Sequence, residues 1–443
     1  MIAAYGYSAV ISSGPWMMSM VSLVVIGFFI SANNVMLNQD VLDAAVFRIT
    51  VTYVYAGSLL MGGFMHLGVA RYISDHLYAG EMEEVLPGFM RSAAAVLIAG
   101  FVCSGIWFAF SGLEINQAVA AVIMFQSLSL TWLCMVFLSA AKGYEMIAWG
   151  FFGANIIGAA LAIYGYMYLG LGGAIWGYAL GQFLLAMLLS LRIVREFPSY
   201  TPETNNVFLF LMDNRLLVGA GFIFNLGIWI DKFIVWHSPL GTKVIGWLRC
   251  AEAYDTCLFF SYLTVIPAMA LFLIRIETSF YRNYSIYFNA VTCGGDLAAI
   301  ESGKARVKAS LWLSASRLVK FQGGISLCLV LAAPILAPYL GISIIDIPLL
   351  RFSLVAAFLQ TLLLFMLIFF LYFDWQRYSL ILSLLFLLLN TVFTGASIMF
   401  GPQYLGIGYL LANLAAIVIG LHLFNSGLER LEFETFAKQL EGA

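Results

Sequence analysis

Charge is what this sequence has least of. Its 23 Asp and Glu and 21 Lys and Arg make up only 10% of 443 residues, and a water-soluble globule of that length needs far more charge on its surface. A soluble enzyme or soluble binding domain is thereby excluded. The net charge of -2 says little, because in such a chain the position of each charge matters more than the sum. Histidine is also scarce: His66, His76, His237 and His422 are scattered with no HExxH spacing, so no metal site is expected. The six cysteines, Cys103, Cys134, Cys250, Cys257, Cys293 and Cys328, form no CxxC pattern and read as packing residues in apolar runs. No DxD-like cluster occurs beyond the lone Asp40/Asp43 pair, which removes the usual signature of a membrane-embedded glycosyltransferase or ligase. The first apolar run lacks a basic n-region and an A-x-A site, so the first helix is expected to be its own insertion signal. Neither a cofactor nor nucleic-acid binding is called for.

What the chain has in abundance is apolar length: 63% of residues are hydrophobic and the mean hydropathy is +0.96. At roughly 20 residues per spanning helix there is room for about a dozen spans. The fold expected is an all-α integral membrane protein with about 12 transmembrane helices in two pseudo-symmetric six-helix bundles. Breaks in the pattern place the first bundle at 1–195 and a polar linker, with Pro198 and Pro202, at 196–215. The second bundle then covers 216–424, and 425–443 is a polar tail that ends in a possible surface helix. Within the second bundle a polar segment, 275–320, ends in ESGKARVKASLWLSASRLVK, which reads as an amphipathic helix lying along the membrane surface. Glycine and alanine crowd the fifth and sixth spans, 147–169 and 172–191, where small residues let helices approach closely. Sixteen of the 21 Lys and Arg fall on one side of this layout, so both termini are expected in the cytoplasm.

The stretch from Gly227 to Tyr281 breaks the rule that spans are free of charge. Asp231 and Lys232 lie deep in one apolar run, and Arg249, Glu252 and Asp255 recur every three residues near the start of the next, taken as one span from Val244 to Ile274 with a kink at Pro267. On a helix that spacing spreads the three over one side. Ionisable groups at bilayer depth mark a polar pathway or a set of ion pairs locking helices together. Both readings stand at this point.

An internal repeat adds to the argument. Val41–Tyr55 aligns with Val244–Phe260, placing Arg48 on Arg249, 201 positions later. The exits also match, with Arg71 falling on Arg275 and the following Ser74 on Thr278, 204 positions later. Parallel repeats of this kind enclose a central cavity and support alternating access.

SSGPW at Ser12–Trp16, RYISDHLY at Arg71–Tyr78 and FNLGIWIDKFIVW at Phe224–Trp236 resemble the PelG family, inner-membrane transporters of the Pel exopolysaccharide system, and through it the flippases and multidrug antiporters built as two six-helix bundles. The family carries a short basic amphipathic stretch ahead of its first span, whereas this chain opens almost directly on apolar residues. The resemblance implies export of a growing, N-acetylgalactosamine-rich polymer made by a cytoplasmic glycosyltransferase, PelF, with PelD and PelE completing the inner-membrane complex. On that basis Arg48, Asp231, Lys232, Arg249, Glu252 and Asp255 are candidates to line the path. Trp229, Trp236, Trp247 and Tyr254 are candidates to stack on sugar rings, beside ordinary packing and interfacial roles. Two other readings are a drug or ion-coupled antiporter of the same fold and a non-transporting scaffold subunit.

Overall fold

In hydrocarbon every backbone N–H and C=O must find its partner inside the protein, so long apolar runs become helices. The computed structural model describes residues 2–36, 42–141, 143–197, 206–275, 280–292 and 295–433. Among them, eleven stretches are long and apolar enough to cross a membrane. One, α6 (Tyr144–Glu196), has 53 residues and would be roughly 80 Å long if straight, against a hydrocarbon core of about 30 Å. It turns back at Gly170, whose φ of 63° lies in the left-handed region, and so supplies two spans. The expected dozen follows. Glycine lets the two arms touch: a Cβ on Gly158 would lie 3.3 Å from the Gly181 Cα, and one on Gly177 would run into the Leu161 and Ala162 backbone.

The chain forms two compact units, Gly14–Ala251 and Glu252–Ala443 with Met1–Ser13. The first holds most of α1 (Ile2–Met36), then α2 (Leu42–Gly63), α3 (His66–Ala79), α4 (Val85–Ala109), α5 (Ile115–Ala140), α6, α7 (Val207–Asp213), α8 (Arg215–His237) and a two-stranded hairpin. Two apolar clusters fill it. One joins Tyr72, Phe89, Phe137, Phe151 and Val207, and the other joins Ile26, Phe47, Met124 and Tyr178. α5 reaches both and starts at Glu114, whose backbone N–H donates to Gln117 Oε1 at 3.3 Å, half of a capping box. The helix α8 packs on α2 and α3 inside this unit, and the division between units falls after Ala251 rather than in the 196–215 stretch. Of that stretch, 198–205 lie outside the described residues and α7 occupies its second part.

In the second unit α9 (Glu252–Leu263), α10 (Ile266–Arg275), α11 (Tyr281–Thr292), α12 (Leu297–Leu336), α13 (Ile347–Tyr372), α14 (Gln376–Phe400) and α15 (Ile407–Glu429) follow in order. α13 sits centrally, packed against α9, α12, α14 and α15. The amphipathic stretch expected as a separate surface helix is instead the first half of α12, one continuous helix of 40 residues. No proline interrupts it before Pro334, so nothing in the sequence turns the polar half away from the apolar half. The expected tail helix falls largely on 434–443, outside the described residues.

Each unit breaks one membrane-crossing helix, at matching places. α2 stops at Gly63 and α3 resumes at His66; α9 stops at Leu263 and α10 resumes at Ile266, 200 positions later. Pro267 accounts for the second break, since it has no N–H to donate to the preceding turn, and Gln322 Nε2 donates to the Thr264 carbonyl at 2.9 Å. The first break tightens through Met65 N–H donating to the Gly62 carbonyl at 2.8 Å. The breaks thus recur 200 positions apart, whereas the aligned arginines differ in backbone: Arg48 lies within helix α2 and Arg249 lies outside any helix, in the extended stretch Leu248–Cys250. Of the repeat's matched exit, Arg275 ends α10 while Thr278 lies outside the described residues.

Candidate functional site

α8 carries the first charges. Asp231 is fully buried and Lys232 nearly so, although neighbours on a helix point about 100° apart. The lysine side chain resolves this by folding back: its Nζ lies 3.3 Å from both Asp231 carboxylate oxygens and donates to the Ile228 carbonyl at 2.8 Å. Its charge also stands 5.6 Å from the centre of the Trp229 ring, an arrangement in which the aromatic face attracts the cation. Removing one partner of a buried pair costs more than the pair contributes, because the survivor stays charged in a poor solvent.

Beyond α8 the structure departs from the sequence expectation. Residues placed at the start of an eighth helical span form β1 (Thr242–Ile245) and β2 (Leu248–Cys250), paired antiparallel with Lys243 opposite Arg249 and Ile245 opposite Leu248. Gly246 and Trp247 are the two-residue turn, and Gly246 has φ 51°. A glycine at the first central position, flanked by β-branched Thr242, Val244 and Ile245, is a hairpin signal, and it outweighs the apolar run that suggested a helix. Arg249 therefore does not share a helix face with Glu252 and Asp255. It sits on β2, where Nη2 donates to the Gly241 carbonyl at 2.7 Å and the Ser238 carbonyl at 3.3 Å. A cation here closes the loop that leaves α8 and meets the negative end of that helix.

Tyr53 of α2 is the centre of the hairpin's seat. Its hydroxyl donates to the Arg249 carbonyl at 3.1 Å, and the Arg249 N–H points back at it from 3.4 Å. Its ring lies 4.8 Å from Trp236 and 5.3 Å from Trp247, and Trp247 meets Trp107 of α4 edge-on at 4.6 Å. Trp229 joins through Phe233 and Trp236 at 6.3 and 6.5 Å. The turn itself rests on the loop between α4 and α5: a Cβ on Gly112, at φ 81°, would sit 2.8 Å from the Gly246 Cα.

Among the candidate residues, the structure brings Asp231, Lys232 and Trp229 together, and gathers Arg249, Trp236 and Trp247 around Tyr53. Trp236 is buried, with its ring against Tyr53 and Phe233. Arg48 points to the outside of α2, its stem against α1 with its Cγ and Cδ 3.4 Å from where a Gly27 Cβ would sit. Glu252, Tyr254 and Asp255 open α9 in the second unit; Glu252 is exposed, Asp255 half-buried and Tyr254 buried. No three His, Cys, Asp or Glu side chains come together as metal ligands among the described residues.

Sequence reasoning missed Tyr53 and Trp107, which carry no charge and stand alone in apolar runs. It also missed a neutral polar cluster inside the first unit. Tyr178 donates to Asn155 Oδ1 at 3.3 Å, the Tyr55 and Tyr178 hydroxyls are 3.0 Å apart, and Gln182 Nε2 approaches Asn155 Oδ1 at 3.5 Å. Trp132 Nε1 donates to Ser58 Oγ at 3.0 Å alongside.

Residues 1–436 match the model of the PelG family of exopolysaccharide exporters (EPS-E). The chain belongs to that family. Its fold is similar to that of a MOP-superfamily transporter from Pyrococcus furiosus, at 14% identity, with 97% of this chain and 96% of that one covered and a TM-score of 0.62. It is also similar to an outward-facing multidrug resistance MATE transporter of the same superfamily, at 16% identity, 96% coverage of both chains and a TM-score of 0.61. At such identities the likeness speaks for the fold. No curated protein sequence matches significantly. A PelG-family chain with this fold is a multi-pass membrane transporter of exopolysaccharide type.

Proposed function

We propose that this chain moves the growing Pel polymer, rich in N-acetylgalactosamine, across the bacterial inner membrane, receiving it from the cytoplasmic glycosyltransferase PelF in a complex with PelD and PelE. The observation that carries the reading is the family match along nearly the whole chain, joined to a charged pair kept inside a membrane helix at α8. In this reading the bundles 1–195 and 216–424 are the bodies that move, both termini and the 275–320 segment face the cytoplasm, and Arg48, Asp231, Lys232, Arg249, Glu252 and Asp255 belong to the path. Trp229 and Trp247, half-exposed, are the better placed of the four aromatics to stack on sugar rings.

The test is secretion of polymer by a strain lacking this gene, with and without the gene restored, while PelF, PelD and PelE are followed by co-purification. Loss and recovery of secretion with the complex intact supports export. Secretion that persists without the gene contradicts it, and drug efflux by the chain alone, without a synthase, would favour the antiporter reading.

A further inference from the structure

We propose that the hairpin Thr242–Cys250 is a latch, fastening the end of α8 to α2 and to the α4–α5 loop, and that it must undock for export to proceed. The inference rests on the exporter reading above. Three features of the hairpin carry it.

Its two strands are four and three residues long, too short to be stable alone. Its order therefore comes from what it sits on. That seat is made of separable contacts: the Tyr53 hydroxyl against the Arg249 backbone, the edges of Trp107 and Tyr53 against Trp247, and backbone on backbone at Gly112 and Gly246. No strand of the seat pairs with the hairpin, since β1 and β2 pair only with each other among the described residues. Such a contact can open and close without unravelling a sheet.

The hairpin is also coupled to the charged pair. Arg249 Nη2 holds the carbonyls of Ser238 and Gly241, so the hairpin and the end of α8 move as one piece. Asp231 lies six positions before the last residue of that helix, about 9 Å along its axis. Docking of the hairpin thus fixes the helix that bears the pair.

Finally, the repeat assigns α8 and the hairpin to the second half of the sequence, yet they pack within the unit Gly14–Ala251. A carrier built from two repeats works by moving one against the other. The seat on Tyr53, Trp107 and Gly112 is a contact that such a motion has to break.

Two experiments test the latch. In a background without native cysteines, Leu113→Cys and Ile245→Cys, which flank the contact between Gly112 and Gly246, are bridged with a short bifunctional thiol reagent in a strain lacking the chromosomal gene, and secreted polymer is measured. A control bridge joins Asn116→Cys to Trp176→Cys, whose parent side-chain atoms are 2.8 Å apart at the surface of the first unit. The latch predicts at least a tenfold loss of secretion on bridging, recovery with reductant, and full secretion with the control bridged. Normal secretion with the latch bridged in most molecules overturns it. The second experiment needs no transport: in purified protein with Cys250 as sole cysteine, Tyr53→Phe should raise the rate of maleimide labelling several-fold, and an unchanged rate counts against the latch. A gene-deletion strain that still secretes would remove the exporter reading instead, leaving the labelling rate to decide on the latch.

Discussion

At Asp231 and Lys232 the decisive quantity is the cost of stranding one charge. Asp231→Ala leaves Lys232 without its carboxylate inside α8, and the expected cost is about 3–5 kcal/mol, read as a lowered melting temperature and a smaller membrane pool. Asp231→Leu combined with Lys232→Met removes both charges, so the pool should recover by comparison with the single variant while secretion stays lost. Equal damage in single and double variants would make the pair's mutual contact unimportant. Asn155 invites a second test. Replacing it with leucine strands the Gln182 amide and leaves the Tyr178 hydroxyl with Tyr55 alone, at about 1–3 kcal/mol for a buried group left unsatisfied. Thermal unfolding of Asn155→Leu beside wild type measures this. The charges were legible in the sequence because ionisable residues are rare in apolar runs. Asn155, Tyr53 and Trp107 were not, because a neutral polar or aromatic side chain in such a run looks the same whether it packs or holds a hydrogen bond to a residue 23 or 196 positions away.

Elements were legible where hydropathy and breakers agreed. The fifth and sixth spans were set apart at 170–171, and the structure places the reversal there, at Gly170 within α6. Gly177→Val should wedge the two arms apart, since its side chain meets the Leu161 and Ala162 backbone, which cannot yield as a side chain does. The expected result is loss of protein from the membrane fraction, whereas Gly153→Val, with open space around it, should be tolerated. The hairpin was misread because its nine residues lie between the apolar α8 and the apolar run that follows, and hydropathy averaged over a span's length hides a reversal of that size. Its turn glycine and alternate β-branched residues were the available signal. Similarly, a change from polar to apolar composition near Lys320 was taken for a change of direction, yet α12 runs straight through it. Composition says where water ends; only a breaker says where a helix ends.

For the whole molecule, the dozen spans and the repeat followed from composition and from two arginines; the paired breaks recur 200 positions apart, while the arginines themselves differ in backbone. The partition into compact units did not follow, because it depends on which neighbours α8 chooses, and small apolar faces on α2 and α8 leave no mark in a single sequence. Orientation is open to direct test. With both termini cytoplasmic, Lys243→Cys on the hairpin should react with an impermeant maleimide in intact spheroplasts, and Lys308→Cys on α12 only after permeabilisation; the reverse pattern would invert the topology. The central claim, that a polymer passes the charged helix α8, is tested most directly by secretion from a deletion strain complemented with Asp231→Asn, Lys232→Gln or Arg249→Gln, with protein level and partner co-purification as controls. The account predicts lost secretion with an intact complex for Asp231→Asn and Lys232→Gln. Normal secretion from both would contradict it and leave the pair as a structural lock within the helix.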